Sequence, residues 1–175
     1  MQIGIFFCSY IMEIKIAIQG IQGSFHHQVA HRYFGEAIGL DECATFRDVA
    51  YSLKNNQSDK AIMAIENSIA GAILPNYALI DSYDLHIIGE HFLDIHMNLM
   101  VLPGQTIEDI KEVHSHPIAL LQCANFFSQY PHIKLVESSD TAITAKRIQE
   151  NQLKGIGALA GPVASEIYNL EIIAD

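Results

Sequence analysis

"IKIAIQGIQGSFHHQVAHRYF", residues 14–34, decides the fold class. Its first six residues form an apolar run of the kind found in a strand covered on both faces. The turn "GIQGS" (20–24) follows. Ser24 can cap a helix there, and Phe25, Val29, Ala30, Tyr33 and Phe34 recur near the helical period.

The same alternation continues outward from this stretch. Thr45 with Asp48 begins a helix over "FRDVAYSLKN". "KAIMAI" (60–65) reads as the next buried strand, and Pro75 stands in the first turn of "PNYALIDSY". "HIIGEHFLDIHMNLMVLP" (86–103) reads as one or two long strands broken near Gly89, long enough to cross between two lobes. Thr106 caps a short helix, "HSH" (114–116) ends a strand, and Pro117 opens the helix "PIALLQCANFFSQY". "IKLVES" and "GIGALAG" are strands; "DTAITAKRIQEN", begun by Asp140, and "GPVASEIY" are helices. Short connections between alternating strands and helices predict an α/β protein with mainly parallel sheets. Ligands of such sheets gather at the carboxyl ends of strands, where loops enter helix N-termini.

Composition narrows the function classes. The chain has 175 residues, half of them hydrophobic, and a formal charge of −10. With no basic cluster, that balance argues against nucleic acid as a partner. Cys8, Cys43 and Cys123 lack CxxC spacing, so neither a zinc site nor a disulfide framework is expected, and a reducing cytoplasm fits. Glu13 and Lys15 interrupt the apolar start well short of the ~20 residues a membrane span needs. Residues 1–11 are therefore read as an extension ahead of a natural start at Met12. Nine histidines include the pairs His26/His27, His91/His96 and His114/His116, none with a Cys or carboxylate set at ligand spacing. No metal or cofactor is expected, and no GxSxG elbow marks a serine nucleophile.

Four polar clusters sit at strand ends. "GIQGS" offers backbone amides and a helix N-terminus to an anion, or is an ordinary turn with a Ser cap. "IENS" (65–68) sets Glu66, Asn67 and Ser68 directly after a buried run. Asn and Ser are common turn formers, whereas a carboxylate beside a core needs a partner or a proton. In "HSHPIALLQC", Ser115 and His116 precede a helix N-terminus, and Gln122 faces either the same space or solvent. They are ligand groups, or a cap and a structural imidazole. "SSDTA" (138–142) is a further hydroxyl-bearing turn, or simply a cap.

Taken in this order, "GIQGSFHHQVA", "AIENSIAG", "HIIGEHFLDIHMNLM", "HSHPIALLQC" and "SDTAITAK" resemble the catalytic domain of prephenate dehydratase, from about Ile16 onward. The resemblance implies a two-lobed architecture of the type-II periplasmic-binding-protein kind, with first lobe 12–92, second lobe 93–175 and a cleft between them. It implies loss of water and carbon dioxide from the dicarboxylate prephenate to give phenylpyruvate, in the cytoplasm, without cofactor, nucleic acid or membrane partner, and with a homodimer possible. Glu66, Asn67, Ser115 and Gln122 match positions implicated in catalysis. Ser24, Ser68, His116 and Thr141 are expected to line the substrate. Glu66 either organises the cleft or donates a proton; the organising role is favoured because an ionised Glu opposes a dianion. Ile118 stands where many members have Gln.

The family also completes its site with a Thr-Arg-Phe motif and is usually followed by a regulatory ACT domain; neither occurs in these 175 residues. The resemblance therefore implies that this stretch alone binds weakly and turns over little. Two alternatives stand beside it: a non-catalytic two-lobed ligand-binding module, and dehydration of arogenate.

Overall fold

Ile16, Ala17 and Ile18 are fully buried at the centre of the first sheet, and their alternation assigns each face a helix. Strand β1 (Ile14–Gln19) lies between β2 (Ile38–Cys43) and β3 (Lys60–Ala61), all parallel. Ile16 and Ile18 pack with Ala30 of helix α1 (Phe25–Phe34), while Ala17 packs with Val49 of helix α2 (Phe46–Lys54). The caps expected at Ser24 and Thr45 both form; Thr45 and Asp48 make a reciprocal capping box. The computed structural model describes residues 13–69 and 71–175. The reading of residues 1–11 as an extension and of Met12 as the start lies outside them.

The second sheet has the order β10-β6-β9-β7-β8. Its strands are β6 (Asn98–Val101), β7 (Glu112–Ser115), β8 (Lys134–Glu137), β9 (Ile156–Ala160) and β10 (Glu171–Ala174). Strands β7, β8 and β9 are mutually parallel, whereas β6 is antiparallel to both β9 and β10. Strand β6 is buried on both faces. Leu99 and Val101 join Val113, Leu120, Phe127 and Leu159 on one side, and Met100 and Leu102 join Ala145, Ile148, Ala158 and Ala164 on the other. Helices α4 (Pro117–Gln122), α5 (Ala124–Phe127), α6 (Thr141–Asn151) and α7 (Pro162–Ile167) complete this half. A two-stranded antiparallel hairpin, β4 (Glu66–Asn67) with β5 (Gly71–Ala72), precedes helix α3 (Leu74–Ser82).

The α/β class with two sheets is as expected, but several elements differ from the sequence reading. The strand expected over 60–65 ends at Ala61. Its last bond to β1 is Ile62 N to Ala17 O; β1 itself runs on to Gln19 against β2, while residues 63–65 leave the ladder and Ile65 O accepts from Ile73 N. Of residues 86–103, only Asn98–Val101 pairs as a strand. The short helix after Thr106 is a single 3₁₀ turn, Ile107–Asp109. The long helix after Pro117 breaks at Cys123, whose φ of −95° and ψ of 5° leave the helical region. Strand β2 was not anticipated: in "IGLDEC" only alternate positions are apolar, and Asp41 and Glu42 obscure them.

Asp41 ties this unanticipated strand to its surroundings. It accepts hydrogen bonds from Ser52 Oγ on α2 and from Ser58 Oγ at 2.9 Å, and pairs with Lys15 Nζ at 3.3 Å. The Ser52 hydroxyl above all, with Ser58 and Lys15, holds the carboxyl below its ordinary range despite the opposing effect of burial. Ser52→Ala should therefore cost about 1.5–3 kcal/mol at neutral pH, the range for hydrogen bonds to charged groups, as read by urea unfolding. Because the folded pKa is depressed, this contribution is lost as pH falls through the folded value, so the penalty should shrink in acid. A penalty that is absent at neutral pH, or that grows in acid, contradicts this role.

His26 acts with the same sign. It meets Phe46 edge-on at 5.2 Å, and burial pushes its imidazole from 6.5 down to about 4, partly offset by a hydrogen bond with the Gln19 backbone. Between those values the unfolded chain binds a proton that folded His26 refuses, so stability rises with pH across this window. His26→Phe should flatten that rise when unfolding is compared at about pH 5 and about pH 7.5; an unchanged slope would assign the dependence to another group.

Candidate active site

The "GIQGS" turn does more than connect β1 to α1. Gly20 has φ +95°, a left-handed conformation that suits glycine. A Cβ on it would lie 2.9 Å from Asp140 Oδ2 and 3.2 Å from Ser24 Cβ. Absence of a side chain at Gly20 thus lets the head of α6, from the second sheet, close onto the head of α1, from the first. Two further contacts hold the seam. A Cβ on Gly23 would lie 3.2 Å from Ala164 Cα, and Tyr168 Oη donates to Gln22 O at 2.6 Å. Burial pushes the Tyr168 phenol up to about 12, so it remains a donor across the accessible pH range.

At this seam the described side chains are polar and largely shielded. Ser24, Asp140 and Thr141 are all buried. Ser24 Oγ accepts from His27 N at 3.2 Å. Asp140 Oδ1 accepts from Ala142 N at 2.8 Å and Ile143 N at 3.1 Å, which uses two first-turn amides of α6. The amide and hydroxyl of Thr141 remain, together with the Phe25 and His26 amides at the first turn of α1, which have no intrahelical acceptor. Burial pushes the Asp140 carboxyl up, opposed by its two backbone amides and by the neighbouring His116 imidazole. His116 is exposed at the N-cap of α4, where Nδ1 accepts from Ile118 N at 3.3 Å, leaving Nε2 to face outward.

Ser115 lies within the second sheet. It is fully buried, and its hydroxyl donates to Leu159 O at 2.7 Å, joining β7 to β9. Its proton is engaged inside the sheet, whereas His116, past the end of β7 at the α4 N-cap, is exposed. Gln122 closes α4, about 7 Å of helix rise from Pro117. It is half-buried and makes no hydrogen bond to the seam.

"IENS" lies on the β4–β5 hairpin and its turn. Glu66 and Ser68 are exposed, so Glu66 does not sit beside a core as the sequence suggested. Asn67 Oδ1 accepts from Ile69 N at 2.9 Å, the bond of an Asx-type turn. No hydrogen bond or ion pair joins Glu66 or Ser68 to Ser24, Asp140 or Thr141. Of the eight residues singled out from the sequence, the structure thus brings Ser24, Thr141 and His116 to one place. Asp140, read only as a helix start, is the member that joins them.

Charge at the seam is set by dipoles. The hydrogen bonds and ion pairs of the ten basic side chains reach none of Ser24, His116, Asp140 and Thr141. Lys15 pairs with Asp41, Lys134 with Glu112, and Arg147 Nη2 lies 2.7 Å from His114 Nδ1. Since guanidinium only donates, His114 Nδ1 accepts and Nε2–H donates to Glu112 at 2.8 Å, so the imidazole is engaged within the fold. Beside the turn, a cavity of about 520 Å³ is lined by Gln22, His27, His31 and Glu42 over Ile38 and Leu40. Among the described residues no cluster of three or more His, Cys, Asp or Glu side chains is placed to hold a metal. No helix among them is long and apolar enough to cross a membrane.

Comparison with known proteins agrees on one family. The prephenate dehydratase family model matches residues 16–175. A bifunctional chorismate mutase/prephenate dehydratase of Buchnera aphidicola is 34% identical over 95% of the chain and 45% of its own length. Arogenate dehydratase 2 of Petunia hybrida is 35% identical over 92% of the chain and 40% of its own length. A prephenate dehydratase of Arthrobacter aurescens, solved in complex with L-Phe, superposes with a TM-score of 0.82 at 25% identity, over 92% of this chain and 55% of that one. The chain spans less than half the length of these curated relatives. With a family model that covers nearly all of it, the chain belongs to the prephenate dehydratase family.

Proposed function

We propose that the chain is the catalytic unit of a prephenate dehydratase, converting prephenate to phenylpyruvate with loss of water and carbon dioxide in L-phenylalanine biosynthesis. We further assign residues 12–92 and 93–175 to its two lobes, with the substrate at the Gly20–Asp140 seam. The observation that carries this reading is the meeting of the α1 and α6 N-termini across that seam, in a chain whose family acts on a dicarboxylate. The ends of these helices, ten and eleven residues long, supply partial positive charge where no Lys or Arg reaches.

The chemistry asks little of the protein beyond this. The electrons of the ring carbon–carboxylate bond pass into the ring, the opposite carbon–oxygen bond breaks, and the departing hydroxide takes a proton to leave as water. Aromatisation drives the step. The protein must hold one carboxylate, keep the other poorly solvated, and supply the proton. The Thr141 amide and hydroxyl, with the Phe25 and His26 amides, are assigned to carboxylate binding, and Ser24 to fixing the α1 end. His116 lines the approach. Glu66, Asn67 and Ser68 are assigned a wall of the cleft on the family resemblance, with Glu66 organising it. Dehydration of arogenate is the second reading, favoured by the Petunia relative at 35% identity.

Two measurements test the assignment. Purified protein given prephenate should release phenylpyruvate only at the low turnover that the resemblance implies for this stretch alone, followed by its enolate absorbance in alkali; arogenate turned over in preference would transfer the assignment to the second reading. Thr141→Val should raise KM at least about tenfold, the loss of one carboxylate hydrogen bond with the amide left in place. Unaltered KM and kcat would remove Thr141 from the site.

A further inference from the structure

One oxygen of Asp140 is left without a donor by the fold. The residue is only 8% exposed, and Oδ1 takes both the Ala142 and the Ile143 amide. Among the described residues, no hydrogen bond or ion pair reaches Oδ2. The His116 imidazole is near, but its Nδ1 accepts from Ile118 N instead. Oδ2 borders the space that a side chain at Gly20 would fill. It lies 2.9 Å from the position of the missing Cβ, and Ser24 Oγ lies 3.4 Å from the same point. A carboxylate oxygen buried in this way is costly until something donates to it.

The seam also holds the opposite shortage. Gln28 follows Ser24 by four residues and so lies on the same face of α1, one turn along. It is buried, and its Nε2 has no acceptor among the described residues. That nitrogen stands 2.6 Å from where a Cβ on Gly161, the N-cap of α7, would lie. Each half of the molecule thus turns one unpaired buried group toward the other: a donor from α1 and an acceptor from the head of α6.

The head group of an α-amino acid meets both needs, because its ammonium donates and its carboxylate accepts. A 2-oxo acid meets only one. Its keto oxygen is an acceptor and would face Oδ2 lone pair to lone pair.

We propose that Asp140 is the specificity-determining residue of the seam, its Oδ2 accepting from a substrate ammonium and opposing a 2-oxo group in the same place. This rests on the reading that a dicarboxylate lies between the heads of α1 and α6. Of the two substrates considered there, arogenate carries the ammonium and prephenate the 2-oxo group. Asp140 therefore biases the seam toward arogenate, while the helix amides hold a carboxylate that both possess.

Isothermal titration calorimetry with each ligand at neutral pH tests this without requiring turnover. The ratio of the prephenate Kd to the arogenate Kd should fall at least about tenfold in Asp140→Asn, which removes the charge of a buried pair. Asn caps a helix as well as Asp does, so the head of α6 is kept. Asp140→Ser, a second uncharged cap, should move the ratio the same way. Thr141→Val should weaken both ligands alike and leave the ratio in place. If the wild-type protein binds both ligands but the Asp140 variants keep its ratio, or lose both ligands equally, Asp140 is a cap alone and the proposal is overturned. If the wild-type protein binds neither, or Thr141→Val changes neither Kd, the ligand is not at the seam and that reading fails with it.

Discussion

A carboxylate laid against a glycine holds the two halves of this molecule in register. Asp140 caps α6 with one oxygen and turns the other onto Gly20, whose positive φ and missing Cβ make the approach possible. Ser24 caps α1 beside the same contact, so two helix heads meet where the two sheets meet. Tyr168 and Ala164 close on the rest of the "GIQGS" turn from α7 and its C-cap. Any side chain at Gly20 must displace either Asp140 or Ser24, and with it one of the two helix ends.

On the proposed reading, that contact is also what would give an acidic protein a place for an anion. The formal charge of −10 is distributed over a surface whose basic groups make no hydrogen bond or ion pair at the seam; several are engaged elsewhere, in pairs such as Lys15–Asp41 and in the Arg147–His114–Glu112 chain. Attraction at the seam comes from oriented amides, which lose little when water is excluded because they need not reorganise. Asp140 works against this while it is ionised. Burial raises its carboxyl, while the Ile143 and Ala142 amides and, less, the nearby His116 imidazole lower it.

Much of the frame was legible because its signals are local. The apolar "IKIAIQ", the Ser24 cap, the Thr45/Asp48 box and the Asp140 cap each depend on residues within one turn, and each formed. What escaped depends on distant partners. The run "KAIMAI" has strand composition throughout, but its second half leaves β1 after Ile62, and Ile65 O accepts from Ile73 N instead. "HIIGEHFLDIHM" has strand composition without a neighbour among the described residues. Strand β2 carries Asp41 and Glu42, whose hydrogen-bonding partners, Ser52, Ser58 and the Gln22 amide, lie elsewhere in the chain. Within the candidate site, Ser115 and His116 look equivalent in sequence. The first ends β7 and is buried against Leu159, whereas the second lies beyond the strand at the α4 N-cap and is exposed.

The central claim is that a dicarboxylate sits between the heads of α1 and α6. Amide shift mapping by NMR while prephenate is added tests it most directly, since it reports contact whether or not turnover follows. The largest changes should fall on the Phe25, His26 and Thr141 amides, and Gly20 should move with them. Changes confined to the cavity lined by His27, His31 and Glu42, or to residues remote from both helix heads, would contradict it.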